Sequence, residues 1–164
     1  MKLLILTGPA GAGKNTIAEL AAKKREKCAV IDVDTIRWFL RNPHKAPWEG
    51  EEGKTQQFLG VKNACTLAEN FLKENCDVII LDVINDETAK LYRELLKNHN
   101  PKILLLLPSF EEIQKRNTMR PPRLRREEIE MIYKWQESLT EFDERIDNSN
   151  LSAEEAAESF LKNF

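Results

Sequence analysis

Residues 8–16 have the composition and spacing of a loop that binds phosphate groups. Gly8 and Gly13 are separated by four residues and followed by Lys14, which is the G-x-x-x-x-G-K spacing of a nucleotide phosphate loop. Glycines let successive backbone N–H groups point into one concavity, and a helix that begins there adds its positive N-terminus. Lys14 adds a charge that can reach the β- and γ-phosphates. The predicted nucleotide-binding residues are Gly8, Gly11, Ala12, Gly13, Lys14, Asn15 and Thr16.

The residue after the lysine departs from the usual pattern, in which a serine or threonine hydroxyl binds Mg²⁺. Here Asn15 occupies that position, and Thr16 follows one place later. An amide oxygen can also bind Mg²⁺, because this hard cation takes oxygen ligands. The sequence therefore predicts ATP with Mg²⁺ at the loop, and leaves open whether Asn15 or Thr16 supports the metal.

Carboxylates follow two further apolar runs and are candidates for metal binding and catalysis. Asp32 and Asp34 lie at the end of the run 28–33, and residues two apart on a strand face the same side. Asp82 ends the run 77–83, a position from which a carboxylate can hold Mg²⁺ directly or through water. We expect Asp34 to be catalytic, and we expect Asp32 and Asp82 to join Asn15 in the metal site. An aspartate after a strand is also a common turn former.

A dense basic segment lies late in the chain, over residues 115–126. Its cations are Lys115, Arg116, Arg120, Arg123, Arg125 and Arg126, with Pro121 and Pro122 between them. Three interpretations remain open, namely a solvated helix, a nucleic-acid contact and a lid that closes on ATP. In the lid, Arg116 and Arg120 would be catalytic, because they lie four apart on one helix face and can stabilise charge on the transferring phosphoryl group.

The segment 42–53 is predicted to be a loop that binds the phosphate acceptor. It contains two prolines and two glycines and has no hydrophobic periodicity, which is typical of a loop. Trp48 within it is either packed cover or a platform for the acceptor. His44 is expected to be an exposed loop residue rather than a base.

Length and composition predict one soluble domain, residues 1–164. Charged residues make up 32% of the chain and the net charge is −2, which argues against a protein that coats nucleic acid. No apolar run approaches the roughly 20 residues that span a bilayer, and the first strand begins where a signal peptide would lie. The three cysteines show no metal spacing, so we expect reduced thiols and a cytoplasmic location.

Apolar runs alternate with helical patterns along the whole chain. The runs cover residues 2–7, 28–33, 77–83 and 102–107, with a weaker candidate at 144–147. This alternation predicts an α/β fold with a parallel sheet and helices on both faces. Ligands of such sheets bind beyond the carboxyl ends of the strands, which is where the loop and the carboxylates are predicted to meet.

The loop 8–16, Asp34-x-x-Arg37, Asp82 and the basic segment together resemble the small P-loop kinases of the nucleoside-monophosphate-kinase-like group. Gluconate kinase, shikimate kinase, chloramphenicol phosphotransferase and many predicted kinases belong to that group. The resemblance implies a three-layer P-loop NTPase fold with a five-stranded parallel sheet in the order 2-3-1-4-5 and a lid after the fourth strand. It also implies that Asp34 accepts the proton of the acceptor hydroxyl, and that Arg37 touches the acceptor.

The leading functional hypothesis is an ATP-dependent phosphotransferase that acts on a hydroxyl of a small molecule, with Trp48, Asp34 and Arg37 at the acceptor. The first alternative is a polynucleotide or RNA 5′-hydroxyl kinase, because the Asp-x-x-Arg pairing also resembles such enzymes. The second is a nucleotide-dependent ATPase or switch without an acceptor. A GTPase is disfavoured, because no Asn-Lys-x-Asp motif follows the fourth apolar run.

Overall fold

In the computed structural model, residues 1–119 and 124–164 are described, and strands alternate with helices along them. The strands are β1 Leu3–Thr7, β2 Cys28–Asp32, β3 Asp77–Asp82, β4 Lys102–Leu106 and β5 Glu144–Ile146. The α-helices are α1 Lys14–Ala22, α2 Val33–Arg37, α3 Gly50–Lys73, α4 Asp86–Leu95, α5 Phe110–Thr118, α6 Arg126–Glu137 and α7 Ala153–Leu161, and a 3₁₀ turn covers Lys97–His99. All five predicted strands therefore form, with ends that differ by one residue.

The five strands form one parallel sheet in the order β2-β3-β1-β4-β5. The order predicted from the resemblance is confirmed, as is the three-layer P-loop fold with helices on both faces. The register places Thr7 beside Asp82 and Asp32 beside Leu81. The carboxyl ends of β1, β2 and β3 therefore meet at one edge, where this fold binds its ligands.

Burial of the central strands explains their sequence. Every residue of β1 and β3 is buried, because helices cover both faces of the sheet. Parallel strands covered in this way are continuous apolar runs rather than alternating ones. Each buried leucine, isoleucine or valine contributes about 1.5–3 kcal/mol relative to an exposed side chain, so the centre of the sheet is a rigid support for the edge.

A buried polar network joins α6 to the carboxyl edge of the sheet. The Thr7 hydroxyl donates to Gln136 Oε1 over 2.7 Å and accepts the N–H of Ile84 over 3.2 Å. Gln136 Nε2 donates to the Ile84 carbonyl over 2.7 Å. Since all three residues are buried, these bonds replace lost hydration and fix α6 above the ends of β1 and β3.

The predicted end of the loop 42–53 is corrected by the structure. That loop ends at Glu49, because α3 begins at Gly50. Gly53 belongs to the first turn of that helix, and a Cβ there would lie 2.0 Å from the Ala46 carbonyl oxygen. The glycine therefore serves close packing of the loop against α3 rather than a turn.

The described helices include none that combines the length and the apolar character needed to cross a membrane. The three cysteines are free thiols, of which Cys65 and Cys76 are buried. Burial, with a contribution from Asp82, raises the pKa of the Cys65 thiol to about 12. That thiol therefore stays protonated near neutral pH and packs as a small apolar group.

Candidate active site

The loop between β1 and α1 has the backbone geometry that its glycines permit. Gly13 has φ 99°, in the left-handed region, and directly precedes α1. Gly8 approaches β4 so closely that a Cβ would lie 2.2 Å from the Leu106 carbonyl oxygen. A side chain at either position would shift the loop, so both glycines are required by the structure.

Lys14 is the first residue of α1, and its ammonium group lies over the loop. Lys14 Nζ donates to the carbonyl oxygens of Gly8, over 2.6 Å, and of Pro9, over 3.3 Å. The positive end of α1 points at the same place. The lysine charge and the helix N-terminus therefore act together on any anion that enters the loop.

A cavity of about 320 Å³, here called the phosphate pocket, lies in front of this loop. It brings together most of the residues singled out in the sequence, which are Gly11, Gly13, Lys14, Asn15, Thr16, Asp32, Asp34, Asp82 and Arg116. Gly8 and Ala12 do not line it. Gly8 instead accepts the bond from Lys14, and Ala12 is fully buried.

Asp32 organises the neighbouring polar groups, and its position corrects one sequence expectation. Asp34 does not lie on β2 beside Asp32, because α2 begins at Val33 and Asp34 is in its first turn. The Asp32 carboxylate ends the strand by capping this helix, and it accepts the Asp34 backbone N–H over 3.0 Å. Its other oxygen accepts from Asn15 Nδ2 over 3.1 Å. Both carboxylates nevertheless reach the phosphate pocket.

Asp82 lines the same pocket and is almost fully buried, with 6% of its surface exposed. Its carboxylate accepts the Tyr92 hydroxyl over 2.8 Å and the Val83 N–H over 2.7 Å. Burial is the largest influence and raises the Asp82 pKa from 3.8 to about 6. The nearby Asp34 charge raises this pKa further, whereas the two hydrogen bonds and Arg37 lower it.

We expect ionisation of the buried Asp82 carboxyl group to lower the free energy of unfolding as pH rises. Its folded-state pKa lies above 3.8, so the folded protein holds the proton more tightly than the unfolded chain. The penalty is therefore absent below about pH 4 and complete above about pH 6. Asp82→Asn should gain up to about 3 kcal/mol of unfolding free energy over wild type between about pH 4 and pH 7, measured by urea denaturation without nucleotide.

Asp86→Asn is the matched control for this measurement. Burial is the largest single influence and raises the pKa of Asp86, but the hydrogen bonds from Thr140 and the Glu141 N–H together outweigh it and lower this pKa. Its stabilisation is therefore lost as pH falls, so the pH trend of this variant has the opposite sign. Identical trends in the two variants would contradict the assignment for Asp82.

A second cavity of about 220 Å³, here called the acceptor pocket, adjoins the phosphate pocket. Both cavities are lined by Ala10, Asp34, Asp82 and Val83. The remaining walls of the acceptor pocket are Arg37, His44, Ala46, Pro47, Trp48, Leu124, Ile132 and Trp135. The predicted acceptor residues Asp34, Arg37 and Trp48 are thus brought together, and the two cavities meet at Asp34.

Arg37 connects Asp34 to the loop that forms one wall of the acceptor pocket. Its Nη1 lies 3.5 Å from Asp34 Oδ1, and its Nη2 donates to the Lys45 carbonyl over 2.7 Å. The arginine side chain is 9% exposed, whereas that of Asp34 is 66% exposed. The buried Arg37 side chain therefore links Asp34 to the loop at Lys45, whereas the Asp34 carboxylate is exposed to the cavity.

Arg116 is anchored to the far side of the phosphate loop. Its Nη1 donates to the Ala12 carbonyl over 3.1 Å, its Nη2 to the Asn148 carbonyl over 2.9 Å, and its Nε to Glu112 over 2.9 Å. It lines both the phosphate pocket and a third cavity of about 250 Å³ that also contains Thr16. The three cavities therefore form a row, with the phosphate pocket in the middle.

Arg120 and Arg123 lie outside the described residues, as does the centre of the predicted lid 115–126. At its ends, Lys115 pairs with Glu112 and Arg125 pairs with Glu128. Both cations are more than half exposed, as expected of a solvated surface.

Sequence reasoning missed several residues of the site. The spacing of Trp135 with Ile129 and Ile132 predicts the buried face of a helix, and no pattern in the sequence singles out Tyr92 or Asn148. Gly60 was missed because it lies in the middle of α3, yet a Cβ there would lie 2.8 Å from Arg37 Cγ. An isolated glycine within a helical pattern was the available signal for such a close approach.

No family model matches the chain, and no curated protein is significantly similar to it. Many solved structures share its fold. A tunicamycin resistance protein of Deinococcus radiodurans is 17% identical with a TM-score of 0.69, and the alignment covers 99% of this chain and 95% of that one. A sugar kinase of a Janibacter species is 16% identical with a TM-score of 0.73, and the alignment covers 99% of this chain and 93% of that one.

Shikimate kinase of Acinetobacter baumannii, solved with shikimate, is also similar in structure. It is 19% identical with a TM-score of 0.67, and the alignment covers 99% of this chain and 92% of that one. The predicted resemblance to small P-loop kinases is thus confirmed in the fold, since the structural neighbours include several such kinases.

Proposed function

We propose that this protein is an ATP-dependent kinase that transfers the γ-phosphoryl group to a hydroxyl of a small molecule. One observation carries the proposal, namely that the phosphate pocket and the acceptor pocket meet at an exposed carboxylate, Asp34. A phosphoryl donor and an acceptor held in these two cavities would be neighbours, and such positioning supplies much of a phosphoryl-transfer rate.

ATP would lie along the row of cavities. The third cavity would hold the nucleoside beside Arg116, and the loop would hold the phosphates under the N–H groups of residues 11–16. Lys14 would turn from the loop carbonyls to the β- and γ-phosphates. Arg116 would add positive charge beside the loop, where negative charge increases in the transition state.

Mg²⁺ fits the donor set of the phosphate pocket. Asn15, Asp32 and Asp82 line this pocket and carry oxygen ligands, and Mg²⁺ in such sites takes one or two protein carboxylates together with water and phosphate oxygens. The bound ion would neutralise charge on the β- and γ-phosphates. Asn15 donates its NH₂ group to Asp32, so its amide oxygen is the atom left for the metal.

Asp34 would act as the general base. The acceptor oxygen would attack the γ-phosphorus, its proton would pass to the Asp34 carboxylate, and the bond to the β–γ bridging oxygen would break to release ADP. Arg37, fixed by the Lys45 carbonyl, would keep the carboxylate oriented. The predicted lid would exclude water, which competes with the acceptor.

Replacement of Asn15 tests the metal site. We expect Asn15→Ser to retain or increase Mg²⁺-dependent turnover, because it restores a hydroxyl ligand. Asn15→Leu should raise the Mg²⁺ concentration for half-maximal activity by about tenfold, the effect typical of losing a metal-supporting group. Thr66→Leu is the control, since Thr66 is exposed on α3 and bonds within its own helix. Full tolerance of Asn15→Leu would leave metal binding to the carboxylates and water.

A transfer screen tests the proposed function. The protein would be incubated with γ-labelled ATP, Mg²⁺ and, in turn, sugars, sugar acids, nucleosides, aromatic alcohols and a 5′-hydroxyl oligonucleotide. Label in a small alcohol supports the proposal. Label in the oligonucleotide would establish the polynucleotide kinase instead, and release of phosphate at one rate regardless of the added alcohol would establish an ATPase or switch.

A further inference from the structure

The walls of the acceptor pocket are mainly aromatic and apolar beyond its carboxylate end. Trp48 and Trp135 reach it from the 42–49 loop and from α6, and Pro47, Leu124 and Ile132 complete the wall. Trp48 is 44% exposed in its loop. Such a surface desolvates whatever lies against it, so a polyol with hydroxyls on every face would lose hydrogen bonds there. A flat apolar ring has no such hydrogen bonds to lose there.

The charges of the pocket disfavour an anionic acceptor. Asp34 and Asp82 place two carboxyl groups at the end shared with the phosphate pocket. Among the described lining residues, Arg37 is the only lysine or arginine, and both of its Nη atoms are engaged, by Asp34 and by the Lys45 carbonyl. A carboxylate or phosphate on the acceptor would therefore face like charge in a partly dry cavity.

Two nitrogen atoms of the described lining residues have no hydrogen-bond partner. Within the described part of the chain, Arg37 Nε and His44 Nδ1 are buried without a hydrogen-bond partner. Buried groups of this kind are normally paired, with protein, water or ligand. A carbonyl or amide oxygen on the acceptor, reached by a small side-chain movement, would supply the missing interaction for Arg37.

The volume limits the acceptor to a compact molecule. The pocket holds about 220 Å³, less than the roughly 300–1,000 Å³ of pockets for drug-sized ligands. We propose that the acceptor is an uncharged alcohol on a single flat aromatic or heteroaromatic ring system with a polar oxygen substituent. The ring packs against Trp48 and Trp135, and the hydroxyl points to Asp34. This inference rests on the proposed function, and it adds the class of acceptor.

Three matched alcohols test the inference without requiring transfer. These are 4-(hydroxymethyl)benzamide, the anionic 4-(hydroxymethyl)benzoate, and trans-4-(hydroxymethyl)cyclohexanecarboxamide, whose ring is not flat. Binding is measured by ligand-observed NMR titration in the presence of Mg²⁺ and a non-hydrolysable ATP analogue. We expect the benzamide to bind about tenfold more tightly than either of the others. Equal or tighter binding of the benzoate or of the saturated ring overturns the inference, as does failure of all three to bind.

Tryptophan variants locate the binding. Trp48→Leu and Trp135→Leu keep an apolar side chain but remove the flat ring, so each should weaken benzamide binding about five- to tenfold. Phe71→Leu is the control, because Phe71 is an exposed aromatic residue on α3 that lines none of the three cavities. If Trp135→Leu fails to fold, Trp48→Leu alone tests where the benzamide binds, because the side chain of Trp48 is 44% exposed. Unchanged affinity in folded Trp48→Leu overturns the placement.

The outcomes separate this inference from the proposed function. Selective benzamide binding with no phosphorylation of any alcohol would support the acceptor class for the cavity, and would contradict the kinase activity. Transfer of label to a sugar or a sugar acid would support the kinase activity and overturn the aromatic acceptor.

Discussion

Lys14→Ala is expected to lower kcat/KM for ATP by at least about 10²–10³-fold, the loss typical of removing one donor aimed at developing negative charge. In the unmodified protein the Lys14 ammonium group lies over the loop, 2.6 Å from the Gly8 carbonyl oxygen. The loop N–H groups alone cannot replace this full charge. The fold should survive, because a hydrogen bond of a charged group contributes about 1.5–3 kcal/mol, and the loss of one such side chain is smaller than the unfolding free energy of about 5–15 kcal/mol that is typical of a domain. Steady-state ATP turnover and calorimetric ATP binding measure the effect.

Lys134→Ala is the control for the lysine. Lys134 is 69% exposed on α6 and pairs with Glu130 within its own helix, so its replacement removes one charge and leaves the loop intact. Its turnover should match that of the unmodified protein. A folded Lys14→Ala protein that binds ATP with undiminished affinity would show that the loop does not hold the nucleotide.

Asp34→Asn should depress phosphoryl transfer by about 10²–10⁴-fold while leaving ATP affinity nearly unchanged. The amide has the shape of the carboxylate, yet it cannot accept the hydroxyl proton. The ion pair with Arg37 is long at 3.5 Å and the carboxylate is exposed, so its loss should cost little stability. Single-turnover transfer and ATP binding, measured on the same preparation, separate the two effects.

Glu87→Gln is the matched control for the carboxylate. Glu87 is 58% exposed in the first turn of α4 and pairs with Lys54, so the variant removes a charge of similar exposure away from the pockets. Transfer by this variant should be unchanged. If Asp34→Asn instead loses ATP affinity in proportion to its loss of transfer, Asp34 belongs to nucleotide or metal binding rather than to proton transfer.

The phosphate loop was predictable because its determinants are local. Gly8, Gly13 and Lys14 act through the backbone between β1 and α1, so spacing in the sequence corresponds directly to geometry in the structure. The strands were predictable for a similar reason, since burial on both faces leaves continuous apolar runs. The order of the strands came only from the resemblance, because pairing of distant segments leaves no local signal.

The acceptor pocket was predicted only in part, because its walls come from segments far apart in the chain. Trp48 and Arg37 were identified from the loop and from the Asp-x-x-Arg spacing. Trp135 also lines this pocket, because the Thr7–Gln136 bond fixes α6 to the sheet, which no pattern within α6 reveals. The sequence placed Asp34 on the same strand face as Asp32, and this is wrong because Asp32 caps α2 and ends the strand one residue before the predicted end.

The most direct test of the account is a crystal structure with a non-hydrolysable ATP analogue and Mg²⁺. The two-pocket arrangement predicts the β- and γ-phosphates under the N–H groups of residues 11–16 with Lys14 Nζ beside them. It also predicts the γ-phosphate at the boundary with the acceptor pocket, so that an acceptor oxygen next to Asp34 could lie about 3–3.5 Å from the γ-phosphorus. A γ-phosphate directed away from Asp34, or a nucleotide bound elsewhere, would contradict the proposed kinase.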